Sequence, residues 1–319
     1  MRRTFFIVGP TATGKSDLAA DLACKTGAEI ISADAFQLYR GLDLLTAKPE
    51  ASTLAKASHH LIATTPLHEE MNAEKFRVAA ATAIDEVHSR GKLAIVVGGS
   101  GLYVKALTHG LAPLPQADPK LREELSAMSL DELRSRLIEI DPEAPRKIDL
   151  KNRRRVVRAL EIYLLTGKPA SEVVAEGADL GSQENVQPRS APAVTGVFVY
   201  RDRQELYDRI NRRVERMFED GVIEEVRNAG ELSATASQMI GFCEIRQLLK
   251  DPADSGSISQ CVAAIQQATR RYAKRQLTWF RRQTNFSPLN LSLLTHNEAV
   301  ILLRMLSERR KISGVRAKG

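Results

Sequence analysis

Residues 4–27 read TFFIVGPTATGKSDLAADLACKTG, and this stretch decides the fold. A short apolar run enters a turn in which Gly9, Gly14, Lys15 and Ser16 match the spacing G-x-x-x-x-G-K-[ST]. Between a strand and a helix, such a turn wraps backbone N–H groups around anionic oxygens, and the helix adds its positive end. Gly9, Thr11, Ala12, Thr13, Gly14, Lys15 and Ser16 are therefore the expected phosphate contacts. Lys15 supplies a cation for the terminal phosphate, and the Ser16 hydroxyl is a candidate Mg²⁺ ligand. Leu18, Ala19, Leu22 and Ala23 then share one helical face, and Gly27 follows as a stop.

Outward from this stretch, AEIISAD (28–34) reads as a second strand ending at Asp34. NAEKFRVAAATAIDEVHSRG (72–91) reads as a helix stopped at Gly91, and KLAIVVGGSG (92–101) as a third buried strand with a glycine turn. Strands alternating with helices imply a parallel α/β sheet. Ligands collect at the C-terminal strand ends of such sheets, and here those ends carry the phosphate loop, Asp34 and the turn holding Ser100. From about residue 112 the chain reads as helices without a strand, and 177–193 as a polar loop. VTGVFVY (194–200) returns to strand, followed mostly by helices. The predicted organisation is an α/β core of 1–111 and 194–290, a helical insertion of 112–193, and a C-terminal helix or tail of 291–319.

Composition narrows the function. With 319 residues, 43% of them hydrophobic, the chain can bury a large core. No apolar run reaches the ~20 residues that span a bilayer, and FFIVG leads into the loop rather than to a leader cleavage site. Cys24, Cys243 and Cys261 are odd in number and scattered, which suits reduced thiols in the cytoplasm and no metal site. His59 and His60 lack a third ligand at metal spacing and read as structural.

The net charge of +7 suits a polyanionic partner. Three basic stretches stand out: KNRRRVVR (151–158), YDRINRRVERM (207–217) and TRRYAKRQLTWFRRQ (269–283). Cations at these spacings can meet backbone phosphates, and interleaved aromatics can stack on bases. The plainer reading is a solvated face on each helix. Ile265, Ala268, Tyr272 and Trp279 share one stripe, which favours core for those aromatics. Arg209 and Arg213, four apart, share another face. Asp34 reads as a metal ligand or base, against the alternative of a turn residue. LAIVV ends without the metal-holding aspartate usual in phosphate-loop hydrolases, but a nucleotide stays open as ligand at this point.

Taken together, these segments resemble the tRNA dimethylallyltransferases (tRNA isopentenyltransferases), in their bacterial form. GPTATGKS (9–16) is similar to that family's GPTASGKS/T, and ISADAFQLYRGLDLLTAKP (31–49) to its ISxDSxQxYRGxDIGTAKP. HHLI (59–62), VVGGSGLYVKAL (96–107), RALEIYLLTGKPASE (158–172), DRQELYDRINRRVERMFEDGVIEEV (202–226), QMIGFCEI (238–245) and the 269–283 stretch follow in order. The resemblance implies a P-loop NTPase-like α/β parallel-sheet core with a mainly helical insertion domain and C-terminal helices. It implies that the loop holds the diphosphate of dimethylallyl diphosphate rather than a nucleotide. The dimethylallyl group would pass, with Mg²⁺, to N6 of the adenosine 3′ of the anticodon in tRNAs reading codons that begin with U. The implied catalytic residues are Asp34 as base, Ser100 beside the reacting amine and Arg213 near the diphosphate. Implied tRNA contacts are Asp34, Ala35, Phe36, Gln37, Ser100, Met239, Ile240, Gly241 and Phe242, with Arg122, Arg154, Arg155 and Arg158 on the insertion that grips the anticodon stem-loop. A cytoplasmic monomer is expected, with no membrane partner. Four positions depart from the family pattern: Ser100 for threonine, Ala35 for serine, Leu45 for glycine and Phe242 for tyrosine. Two rivals are a small-molecule kinase or NTPase and a relative prenylating free adenine nucleotides, which would have little use for a basic insertion.

Overall fold

The computed structural model describes residues 4–111, 114–115, 117–175, 195–250 and 258–308. Its sheet has six strands, all parallel, in the order β3-β2-β4-β1-β5-β6. These are β1 (Thr4–Val8), β2 (Glu29–Ser32), β3 (His59–His60), β4 (Ala94–Gly98), β5 (Thr195–Tyr200) and β6 (Ser287–Asn290). The four inner strands are those that long apolar runs predict. The outer two, HH and SPLN, are short, and Pro288 sits at an edge where its missing donor costs no ladder bond. Neither carries a pattern that sequence reading could register.

Helices cover both faces, as a parallel sheet requires. On one face α1 (Lys15–Thr26) places Leu18 and Leu22 against Ile7, Ile95 and Val199. On the other, α2 (Ala73–Ser89) and α3 (Gly101–His109) place Phe76, Ala80 and Tyr103 against Phe6, Ile31 and Val96. Helix α2 starts where Asn72 accepts from Lys75 N–H, an N-cap that satisfies an otherwise orphaned donor. Gly27 and Gly91 adopt positive φ just past their helices, as the sequence predicts.

In the insertion, helices Pro119–Ala127 (α4), Leu130–Ile140 (α5) and Arg153–Thr166 (α6) pack around Leu125, Leu133, Leu137, Val156 and Leu160. Asp118, Ser129 and Asn152 cap them, with a full capping box at Ser129 and Glu132. Contacts divide the chain into a unit of 1–108 plus 193–319 and a unit of 109–192. The predicted 177–193 loop lies outside the described residues. In the larger unit, α7 (Arg203–Glu219), α8 (Val222–Arg227), α9 (Phe242–Lys250) and α10 (Ile258–Arg281) follow β5. The last helix, α11 (His296–Glu308), lies within the segment read as a C-terminal helix or tail. Its Ala299, Val300 and Leu303 are buried in the same layer as α1. No helix among the described residues is long and apolar enough to cross a membrane.

Candidate active site

The register of the inner strands brings three turns together. Val8 pairs with both Gly98 and Phe198, and Ser32 with Val97. One residue further on, Gly9 N–H donates to Gly98 O, Ala33 N–H to Val97 O and Ser100 N–H to Ala33 O. The phosphate loop, the Asp34 turn and the Ser100 turn therefore meet at one sheet end. Glycine is required at the closest approaches. A Cβ on Gly9 would lie 2.1 Å from Val199 O, and one on Gly98 2.1 Å from Ala33 O. Gly14 opens α1 at φ +89°, a conformation that disfavours side chains.

The loop is braced from outside by arginines. Arg209 Nε donates to Ala12 O at 2.7 Å, and Arg201 Nε to Thr13 O at 2.9 Å. Arg213 donates to the Thr11 hydroxyl at 2.8 Å. The 207–217 stretch thus serves the loop through Arg209 and Arg213, and neither arginine lies on a merely solvated helix face. Thr13, fully buried, donates its hydroxyl to Pro10 O. Lys15 Nζ also donates to Pro10 O, at 3.3 Å. Burial pulls the Lys15 ammonium down to about 8, with Arg213 adding to the fall and Asp34 opposing it. Burial and nearby Arg209 lower Arg213 as well, against the pull of Asp34. The Arg213 Nε is buried with no partner among the described residues. Cations held this way, without enough anions, form a site prepared for a polyanion.

Asp34 faces that cationic group. Its charge acts on Lys15, Arg213, Tyr103 and Tyr272. Its Oδ1 also accepts from Phe36 N–H at 3.1 Å, so the turn role and the chemical role coexist in one carboxylate. Ser100 Oγ accepts from Ala35 N–H at 2.9 Å, and Ser100 and Gln276 both lower the Tyr272 hydroxyl against the effect of burial. The Ala35 bond holds the hydroxyl without the methyl of a threonine. Ala35 therefore contributes its backbone, and a side-chain hydroxyl there is not needed for this contact.

Other predicted residues divide by exposure. Asp34, Ala35, Phe36 and Gln37 are half-buried and open to a ligand. Met239, Gly241 and Phe242 are instead buried, in the layer behind residues 39–45. In that stretch only Ile240 keeps partial exposure. The unusual Leu45 is buried against Gly241, whose added Cβ would stand 3.0 Å from it. In the insertion, Arg122 and Arg158 both pair with fully buried Glu161. They hold that unit together, a task their spacing did not reveal. Arg154 is exposed and Arg155 half-buried.

Sequence reading missed two residues and misplaced a third. Tyr272 is half-buried at the site rather than in the core; burial and Asp34 raise its hydroxyl. The buried stripe of α10 is Cys261, Ile265, Thr269, Ala273, Gln276 and Phe280. Gln276 on this stripe accepts from Thr11 N–H and donates to Gly99 O. A glutamine among buried positions was the available signal. Arg201, at the end of β5, carried none.

His60 pairs with Glu29, which also meets Arg90 and Lys92, in keeping with a structural role. No cluster of three metal-ligating side chains exists among the described residues. Mg²⁺ on a diphosphate needs only one or two protein oxygens. The Ser16 hydroxyl, half-buried at the start of α1 and without a side-chain partner among the described residues, fits that need.

The model of the IPP transferase family matches residues 37–283. The chain belongs to the IPP transferase family. It is 44% identical over 283 residues to tRNA dimethylallyltransferase 1 of Citrifermentans bemidjiense, covering 87% of this chain and 88% of that protein. It is 40% identical to the tRNA dimethylallyltransferase of Akkermansia muciniphila, covering 88% and 90%. The crystal structure of the full-length tRNA isopentenylpyrophosphate transferase from Bacillus halodurans superposes with a TM-score of 0.67 at 33% identity, covering 98% of this chain and all of that one. The family match begins after the phosphate loop.

Proposed function

We propose that this IPP transferase moves a dimethylallyl group from dimethylallyl diphosphate to N6 of the adenosine 3′ of the anticodon. Its substrates are tRNAs reading codons that begin with U, and diphosphate is the second product. The observation that carries this reading is the opposition of one carboxylate, Asp34, to the Lys15 and Arg213 cations, with the Ser100 hydroxyl fixed beside it.

The loop amides, Lys15 and Arg213 hold the diphosphate. As the amine nitrogen bonds to C1 of the donor, the allylic C–O bond breaks and its electron pair stays on the leaving oxygen. Lys15 and Arg213 meet that growing charge where water is largely excluded, so they act more strongly than in solution. An adenine amine is a weak nucleophile, and the Asp34 carboxylate accepts the proton it sheds. Ser100 orients the amine. The Ser16 hydroxyl would hold Mg²⁺, which would supply further positive charge against the leaving group. To reach the site, the base leaves the anticodon stack, which base-modifying enzymes achieve by flipping. The half-buried 34–37 turn suits contact with the flipped base. The enzyme acts as a monomer in the cytoplasm.

The deciding experiment supplies labelled dimethylallyl diphosphate with an anticodon stem-loop RNA, AMP and ATP as competing acceptors. Label in the RNA supports the reading. Label in AMP or ATP instead would move the acceptor to free nucleotides, and phosphate release from ATP without prenyl transfer would return the loop to a nucleotide.

A further inference from the structure

Helix α10 reaches both halves of the site through side chains that the transfer itself does not consume. Gln276 lies on its buried stripe and is 5% exposed. Its Oε1 accepts from Thr11 N–H at 2.9 Å, and its Nε2 donates to Gly99 O at 2.8 Å. The amide orientation is unambiguous, because a backbone N–H can only donate and a carbonyl only accept. The packing is close: a Cβ on Gly99 would lie 2.3 Å from Nε2.

The location of the two contacts matters. Sheet pairing fixes the chain as far as Gly9 and Gly98, where Gly9 N–H donates to Gly98 O at 3.2 Å. Thr11 and Gly99 lie just beyond the reach of the ladder. There the loop that holds the diphosphate and the turn that carries Ser100 have no backbone bond to each other among the described residues; Gln276 joins them. Each end continues to a reacting group. Thr11 receives Arg213 through its hydroxyl. Ser100, next to Gly99, acts on the hydroxyl of Tyr272, one turn earlier on the same helix, and lowers it against burial.

We infer that Gln276 is a positioning residue that sets the register between the cationic loop under the leaving group and the Ser100–Asp34 side that receives the acceptor amine. The inference rests on the prenyl-transfer reading. Near-attack geometry tolerates little error, and a misplacement of about 1 Å can cost on the order of 10²-fold in rate.

The test compares wild type, Gln276→Met and Gln276→Glu in transfer to the anticodon stem-loop between pH 6 and 9, with thermal melting of each protein. Methionine fills the space and removes both bonds, so kcat should fall on the order of 10²-fold while KM for RNA changes less than about threefold. A protonated glutamic acid reproduces the amide, donating O–H to Gly99 O and accepting from Thr11. The ionised form cannot donate. Gln276→Glu should therefore recover toward wild type as pH falls, a trend that a space-filling role does not produce. If the methionine variant fails to fold, the glutamate pH profile decides. A methionine variant within threefold of wild type, or a glutamate deficit that is flat with pH, overturns the inference. Wild type failing to prenylate RNA would overturn the reaction reading instead.

Discussion

Arg213 donates to the Thr11 hydroxyl across 2.8 Å although 202 residues separate them in sequence. This bond docks α7 onto the phosphate loop and leaves the buried Arg213 Nε available for an incoming anion. Arg213→Gln removes a charge that meets the leaving group, and kcat should fall roughly 10²- to 10³-fold. Thr11→Val removes only the docking acceptor. That change should raise KM for dimethylallyl diphosphate by about tenfold, near the value of one hydrogen bond to a charged group. Steady-state kinetics of both variants separate the two roles, and equal losses would mean that Thr11 itself contacts substrate.

Lys15 sets a pH dependence of known sign. Its free-enzyme value of about 8 means that the cation is complete only well below pH 8, is half lost at that pH and disappears as pH rises further. A bound diphosphate favours the charged form and raises that value. Affinity for inorganic diphosphate should therefore be greatest below about pH 8 and fall above it, with Lys15 taking up roughly three quarters of a proton on binding at pH 8.5. Calorimetry in buffers of different ionisation enthalpy measures the uptake. Lys15→Met should bind weakly and lose this component, and a retained proton uptake in that variant would assign it elsewhere.

Asp34→Asn separates the two tasks of this residue. Asparagine keeps an oxygen for Phe36 N–H, so the turn that aligns residues 34–37 survives. It cannot accept the amine proton, and kcat should fall on the order of 10²-fold or more. Diphosphate affinity should hold or improve slightly, because the neighbouring cations lose a competing anion. A variant with wild-type kcat would remove Asp34 from proton transfer.

The core of the fold was legible because its signals are local. The run 4–8, the glycines of the loop and the strand ending at Gly98 each name their own conformation. Asp34 and Ser100 could be placed together because strand ends of a parallel sheet share one edge. What the sequence did not disclose depends on partners distant in the chain. Arg209 and Arg213 looked alike to any basic stripe until α7 was seen against the loop. Tyr272 and Gln276 sit four apart on α10, and only the sheet end facing them makes them part of the site. Arg122 and Arg158 read as cations for RNA, and Glu161, which uses both, stands among apolar residues in sequence.

Glu161 is the polar centre of the insertion. Fully buried, it accepts from Asp118 N–H, Arg122 and Arg158. Glu161→Leu would deprive two guanidiniums of their carboxylate, leaving Arg158 its bond to Pro115 O, and losing one partner of a buried pair costs about 3 kcal/mol at the lower end of its range. The lower end applies because the Arg122 side chain is 41% exposed. Urea unfolding of the full chain should show the insertion melting early, with the sheet unit unfolding as in wild type. An unchanged unfolding curve would mean that water replaces the carboxylate at little cost.

Arg154 and Arg155 differ from Arg122 and Arg158 in having no side-chain partner among the described residues. They follow the Asn152 cap at the start of α6, and the chain pays no internal ion pair to release them. A cation free of a carboxylate partner can displace counterions from RNA phosphate, whereas one already neutralised by Glu161 adds less. Each of Arg154→Ala and Arg155→Ala should weaken tRNA binding and reduce the slope of log affinity against log salt by about 1. Transfer to saturating RNA should keep its kcat, since neither residue belongs to the sheet-end site. Filter binding from 50 to 300 mM salt, roughly the range over which phosphate contacts are titrated out, measures both slopes. Slopes equal to wild type would remove these arginines from the phosphate contacts and leave the insertion to recognise RNA by other groups.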